Sequence, residues 1–403
     1  MKMETVFCLS PVLLAGLAAG AGENMVGPWN REGLFKAPRT FSAEQYTEYQ
    51  VPGVQALLYE SVPLDGKPVN VFAYYSAPTG KMPAGGWPAV VLAHGGGGTA
   101  YASYVKIWNS WGYAAISMDR YGKLPKLYET DAEGKKKRVR KENRPNLEGG
   151  HPILPIDNAD KTKTWNYHSV CQIVLAHSLI RSYKEINPDR IGLVGASWGG
   201  IHASLAAAVD HRFKFVIPVY SSVGFFKKRA QWTELDNFVP LIQMPSLWTK
   251  GPRDQNFFNK QWQYTIDCCG GRTTANFVVP LGHSDGGQIH LVNRRFADSI
   301  LKDASPLPVV GRTQRHGNTV SASVKSTRPI LRAELAYTFE RPITWKSVWE
   351  TKPAVMQEST VSAELPEGVS AFVLNVFDEA AQKPWPAFPS SSNYIELDAE
   401  TQK

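Results

Sequence analysis

Val194-Gly195-Ala196-Ser197-Trp198-Gly199-Gly200 joins two segments of different period. The run Ile191–Val194 before it is continuously apolar, as in a strand covered on both faces, and Trp198–Val209 after it has helical periodicity. A sharp strand-to-helix turn of the form G-x-S-x-G forces its serine into a strained conformation, with the hydroxyl projecting above the sheet. Gly195 and Gly199 leave room for neighbouring backbone, and the helix N-terminus adds partial positive charge where an oxyanion would form. Ser197 is therefore a candidate nucleophile.

Working outward, Val54–Val62 and Val69–Ala77 alternate apolar residues across Leu64-Asp65-Gly66-Lys67, the pattern of an antiparallel hairpin. Short apolar runs then recur at Pro88–Ala93, Tyr113–Met118, Ile191–Val194, Phe213–Tyr220, Ser246–Thr249 and Asn276–Leu281. Helical periodicity fills the intervals at Lys161–Tyr183, Trp198–Val209, Asn256–Asp267 and Gln288–Leu301. Strands alternating with helices predict an α/β body, a mostly parallel sheet with helices on both faces and the hairpin at one edge. Around Pro306–Gly317 the composition turns to Pro, Gly and polar residues, and helices vanish. Val320–Val324, Ile330–Phe339, Val355–Leu365, Val369–Val376 and Asn393–Leu397 then predict a small β-sandwich-like domain. The expected organisation is a leader over 1–21, a catalytic α/β domain over 22–305 with a basic lid or insert at 120–160, and a C-terminal β-domain over 312–403.

A serine hydroxyl becomes a nucleophile only when a base takes its proton, and that base needs a carboxylate to orient it. Gly251-Pro252-Arg253-Asp254 follows the strand Ser246–Thr249, and Gly282-His283 follows Asn276–Leu281. Both lie just past carboxyl ends of strands, the edge where open α/β sheets bind ligands. Asp254 and His283 are thus the candidate acid and base; Asp236, Asp267, Asp285 and His290 are competitors. His94-Gly95-Gly96-Gly97-Gly98 closes Pro88–Ala93, and glycines let backbone N–H groups reach a developing alkoxide. Gly96 or Gly97 would supply one donor and Trp198 the other. No G-K-[ST] or G-x-G-x-x-G accompanies this loop, no zinc-ligand spacing occurs, and no metal or cofactor is expected. His94, His168, His177 and His202 read as structural. Tyr121 and Trp165, in or beside the insert, are candidates for substrate binding, with Trp165 equally readable as core.

The chain has 403 residues, 43% hydrophobic and 20% charged, a balance that excludes disorder and fibres. Its net charge of +8 owes most to one run, Lys135-Lys136-Lys137-Arg138-Val139-Arg140-Lys141, which reads as one charged loop rather than a nucleic-acid groove. Val6–Ala21, preceded by Lys2 and ending Ala19-Gly20-Ala21, has the form of a secretory signal and is too short and broken to span a bilayer. Secretion or periplasmic export is the expectation. Once Cys8 leaves with that signal, Cys171, Cys268 and Cys269 do not make a disulfide framework.

From about Val54 to Leu301 the sequence resembles the α/β-hydrolase superfamily, and within it the secreted bacterial dienelactone-hydrolase-like group described as acetyl xylan esterases. The marks are His94 to Ala100, Trp108 and Gly112-Tyr113-Ala114-Ala115, then Asn187-Pro188-Asp189-Arg190-Ile191-Gly192 leading to Ser197, with Phe213-Lys214-Phe215 and Val219-Tyr220 beyond. The resemblance implies a Ser–Asp–His esterase carried by Ser197, Asp254 and His283, acting on acyl esters and often on acetylated plant polysaccharide. The basic run departs from the group's pattern and would favour an anionic polysaccharide. Two other readings share the fold: a prolyl-oligopeptidase-type peptidase, whose propeller needs about 40–45 residues per blade that the N-terminus does not supply, and a non-catalytic glycan-binding protein.

Overall fold

The computed structural model describes residues 24–130, 136–138, 144–222, 237–383 and 386–397, with only the backbone of 128–130, 136–138 and 285. The leader over 1–21 and the basic run, apart from the backbone of Lys136–Arg138, lie outside the described residues. No helix among the described residues is long and apolar enough to cross a membrane.

Nine strands make the central sheet: β1 (Thr40–Ser42), β2 (Gln55–Leu64), β3 (Lys67–Ser76), β4 (Trp87–Ala93), β5 (Ala114–Met118), β6 (Ile186–Ala196), β7 (Val216–Val219), β8 (Ser246–Lys250) and β9 (Thr273–Phe277). Their order is β9-β8-β7-β6-β4-β5-β3-β2-β1, parallel from β9 to β5 and antiparallel beyond. At the β2–β3 turn Leu64 pairs with Lys67, and Asp65 and Gly66 both have positive φ, 49° and 75°, the two-residue turn whose twist suits a hairpin. The chain steps from β4 to β5 on one side, then returns to β6 on the other side of β4. The carboxyl ends of β4 and β6 therefore flank a topological switch point, where a crevice opens.

Every residue of β5 and β8, and all of β4 but Trp87, is buried, which requires cover on both faces. Five helices provide it: α1 (Ala102–Ser110), α2 (Trp165–Arg181), α3 (Trp198–Val209), α4 (Asn259–Cys268) and α5 (Leu291–Leu301). Helix α3 is buried from Gly199 to Val209 and packs against α2, while the Trp108 indole of α1 donates to the Gln288 carbonyl just before α5. Three helices start later than their periodicity suggests. Asp160 caps a 3-10 turn over Lys161–Lys163 before Thr164 caps α2. Asp254 takes the N–H groups of Asn256 and Phe257, so α4 begins at Asn259. A 3-10 turn over Asp285–Ile289 precedes α5.

The tail forms two antiparallel sheets, one of Val309–Val310, Gln314–His316, Thr319–Lys325, Val355–Gln357 and Thr360–Glu364, the other of Arg332–Thr338, Glu350–Pro353, Ala371–Phe377, Ser390–Ser391 and Ile395–Glu396. The expected strand Val355–Leu365 is two strands, because Glu358 takes positive φ and turns the chain. The run Ala371–Phe377 is buried throughout, and its pleat explains why. Phe372, Leu374 and Val376 fill the core between the two sheets, whereas Ala371 and Val373 join the core of the α/β body. This strand thus belongs to both cores.

Polar bonds seal that junction along β9. The Phe277 N–H donates to Ser391 Oγ at 2.8 Å, and its carbonyl accepts from Asn375 Nδ2 at 3.1 Å. Asn375 also donates to Glu334 at 3.2 Å and accepts from Ser391 Oγ at 2.7 Å, all of it buried. Removing one partner from such a cluster orphans the others. Asn375→Ala is expected to lower stability by about 2 kcal/mol, measured as a lower urea midpoint at unchanged slope; an unchanged midpoint would contradict this account of the junction.

Candidate active site

Ser197 has φ 58° and ψ −124°, a backbone conformation costly for a residue with a side chain. It persists because its surroundings leave no alternative: its N–H donates to the Val219 carbonyl at 2.8 Å, and α3 starts at the next residue. A Cβ on Gly199 would lie 2.0 Å from the Ala93 carbonyl oxygen, so only glycine lets the helix pass over the end of β4.

Asp254 and His283 meet through the neighbouring strands. Beyond β8 and β9 the chains make one further parallel bridge, Arg253 with Gly282, and each functional side chain comes one residue later. His283 Nδ1 stands 3.0 Å from Asp254 Oδ1, which also accepts the N–H groups of Asn256 at 2.9 Å and Phe257 at 3.3 Å. Burial pushes the Asp254 carboxyl up, but the bond to His283, the Lys250 ammonium and the Asn256 N–H outweigh it, and the group sits below its ordinary range. The His283 side chain is 17% exposed and Asp254 wholly buried.

Ser197, Trp198, Gly95, Gly96, Gly97 and His283 line one cleft of about 320 Å³, together with Tyr101, Asn256, Phe257, Ser284 and Gln288. Gly96 faces Trp198 so closely that a Cβ would lie 2.4 Å from the indole ring. Behind this loop, His94 Nδ1 is 2.8 Å from the Gly95 carbonyl and Nε2 accepts the Arg120 N–H at 3.1 Å, so the Nδ1 atom carries the proton. Burial, then the Arg120 charge, push the imidazole well below its ordinary value, which keeps it neutral. The fully buried Arg120 guanidinium bonds the His94 carbonyl and His202 Nδ1. Asp119 accepts from Thr99 at 2.9 Å and pairs with buried Arg144 at 2.5 Å, tying the insert beneath the same loop.

The expectation that Tyr121 and Trp165 contact substrate needs correcting. Both are buried and neither lines the cleft. Their rings stack at 4.7 Å, the Tyr121 hydroxyl donates to the Gly96 carbonyl at 2.5 Å, and the Trp165 indole donates to the Arg120 carbonyl at 2.7 Å. They brace the glycine loop from below, and Trp165 reaches the cleft only through Trp198, 5.2 Å away. Among the competing acids, Asp267 bonds Arg312 and Gln263 away from the cleft, while Asp236 and the Asp285 side chain lie outside the described residues. His290 is buried and pushed down to about 3 by burial. His168, His177 and His202 are buried in the body, and Cys269 carries a free thiol, so the adjacent cysteines are not bridged to each other. No group of side chains suited to a metal ion occurs among the described residues.

Sequence reasoning missed Tyr101, Asn256, Phe257, Ser284 and Gln288 as lining, and it missed Lys250, buried behind Asp254. Only Tyr101, just past the glycine loop, carried a positional signal. The others reach the cleft by the path of loops.

Residues 43–242 match the family model described as acetyl xylan esterase (AXE1). No curated protein matches. Among solved structures, the chain is similar to an acetyl xylan esterase from Paenibacillus sp. R4, at 18% identity over 67% of this chain and 92% of that one, with a TM-score of 0.49. It is also similar to acetyl xylan esterase 1 from Thermoanaerobacterium sp. JW/SL YS485, at 13% identity over 67% and 91%, with a TM-score of 0.47. Residues 43–242 are thus similar to the acetyl xylan esterase family, and the chain is a carboxylic-ester hydrolase.

Proposed function

We propose that Ser197, His283 and Asp254 cleave acyl esters of carbohydrate, acetate foremost, through an acyl-enzyme. The observation that carries this reading is the hydrogen bond of His283 to buried Asp254 at the wall of a cleft that Ser197 also lines. His283 Nε2 takes the Ser197 proton as Oγ attacks the ester carbonyl. The oxyanion so formed is held by backbone N–H groups of Gly96 or Gly97 and of Trp198, the last at the N-terminus of α3. Collapse expels the sugar hydroxyl, which leaves with the proton from His283. Water then attacks the acyl-serine, His283 takes its proton, and acetate departs as Ser197 regains a proton. Asp254 holds the Nδ1 proton throughout and stabilises the imidazolium.

A cleft of about 320 Å³ is at the small end for ligand sites. It suits a short acyl group, with Tyr101, Trp198 and Phe257 offering rings to a sugar face. The leader Val6–Ala21 supports export to where such polysaccharide occurs, and the basic run supports an anionic one.

Acetate release from acetylated xylan and from a small acetate ester should depend on Ser197. Ser197→Ala is expected to abolish it with the fold intact by circular dichroism, and full activity in that variant would defeat the assignment. Asp254→Asn should lower kcat by about three to four orders of magnitude, since the wrong tautomer is then held; a loss below tenfold would remove Asp254 from the mechanism. Hydrolysis of the small ester without xylan would redirect the substrate to anionic glycans, and cleavage of a proline-containing peptide instead would favour the peptidase reading.

A further inference from the structure

Lys250 ends β8 with its side chain wholly buried. Lysine is almost never found so unless paired. Its Nζ donates to the Gly251 carbonyl at 3.1 Å, and its ion pair is with Asp254, 3.8 Å from Oδ2. The two carboxylate oxygens are used differently. Oδ1 collects His283 and two backbone N–H groups, while Oδ2 is buried without a hydrogen-bond partner and is the oxygen Lys250 approaches. At 3.8 Å the contact is Coulombic rather than a hydrogen bond. What Lys250 brings to this site is charge, since an apolar side chain of similar length would fill the same space.

We infer that Lys250 is a positioning residue whose buried ammonium, set against the Asp254 oxygen that His283 does not use, competes with the protonated imidazole for the single carboxylate charge. The inference rests on the reading of Asp254 and His283 as acid and base. One carboxylate serves two cationic partners: whenever the imidazole is protonated, imidazolium and ammonium share its single charge. Removing the ammonium leaves the whole carboxylate to the imidazolium, so the ring protonates more readily. Turnover from free enzyme needs the neutral ring, and the acid limb of kcat/KM then moves to higher pH.

The other groups around the pair do not supply that charge. Tyr220, at the end of β7, has its ring 5.0 Å from His283 and its hydroxyl 3.3 Å from Ser284 Oγ and from His290 Nε2. Burial pushes its phenol up, and burial pushes His290 down to about 3, so both are neutral where the enzyme would work. Arg253 lies between the two loops with its side chain exposed to solvent, which screens it. Burial pulls Lys250 itself down to about 8 against the attraction of Asp254, which leaves it charged across the acid range.

The test is the pH dependence of kcat/KM for a small aryl acetate in the full chain, comparing wild type with Lys250→Met and Lys250→Arg. The acid limb of Lys250→Met should stand about one pH unit higher, a loss of roughly tenfold on that limb, while Lys250→Arg, which keeps the charge, should track wild type. Superimposable limbs for wild type and Lys250→Met would overturn the inference. Should the Met variant fail to fold, Lys250→Gln is read in its place. Failure of both neutral variants to fold would also overturn the inference, by making the charge structural. Absence of Ser197-dependent hydrolysis in wild type would strike the parent reading instead.

Discussion

The first turn of α3 crosses the end of β4 with no space for a side chain at Gly199, and the rest of the site is organised by that contact. It brings the N-terminus of α3 against the carboxyl end of β4, so the strained Ser197 and the glycine loop after His94 stand side by side at the switch point between β4 and β6. Strain at Ser197 is tolerable only because two parallel strands and a helix buried from Gly199 onward fix the residues on either side. A surface helix could relax; one buried between sheet and α2 cannot.

The proposed acid and base are set by the same logic of register. Strands β8 and β9 pair in register from Ser246 with Thr273 to Lys250 with Phe277, and the bridge between Arg253 and Gly282 carries the parallel alignment past the strand ends. Asp254 and His283 therefore arrive opposite each other without a long loop. Strand β9 would be an open edge, and the tail closes it by taking both polar groups of Phe277 into its buried Asn375 and Ser391. The β-sheets of the tail thus hold the outer strand from which the His283 loop departs.

Much of this was legible because the body repeats a simple alternation, and buried parallel strands announce themselves as continuous apolar runs. The candidates Ser197 and Asp254 each follow such a strand, whereas His283 follows an apolar run that lies mostly beyond the half-buried strand Thr273–Phe277. Helix starts were less legible, since side chains took the first N–H groups: Asp254 holds those of Asn256 and Phe257, which no periodicity reveals. Aromatic residues misled for a related reason. Tyr121 and Trp165 sit near the glycine loop in the chain, as substrate contacts would, but a loop of glycines has no side chains of its own to pack and draws large rings beneath it. The strand Ala371–Phe377 was legible as a strand; that its two faces feed two cores depends on the docking of the tail, which local pattern does not encode.

Charge placement follows the same geometry. In the proposed mechanism ester cleavage separates charge, with an oxyanion near Gly96 and an imidazolium at His283, and two buried cations of this chain would bear on the two ends in opposite senses. Arg120, behind the glycine loop, makes no ion pair among the described residues and bonds the His94 carbonyl, so its charge lies on the same side as the positive end of α3 in the proposed oxyanion site. Lys250, behind Asp254, works against the imidazolium. A site selected only for stabilising the separated charges would have no use for the second cation. In the proposed site its presence divides the Asp254 charge between two cations, and the fully buried position of Lys250 is what keeps solvent from screening that competition.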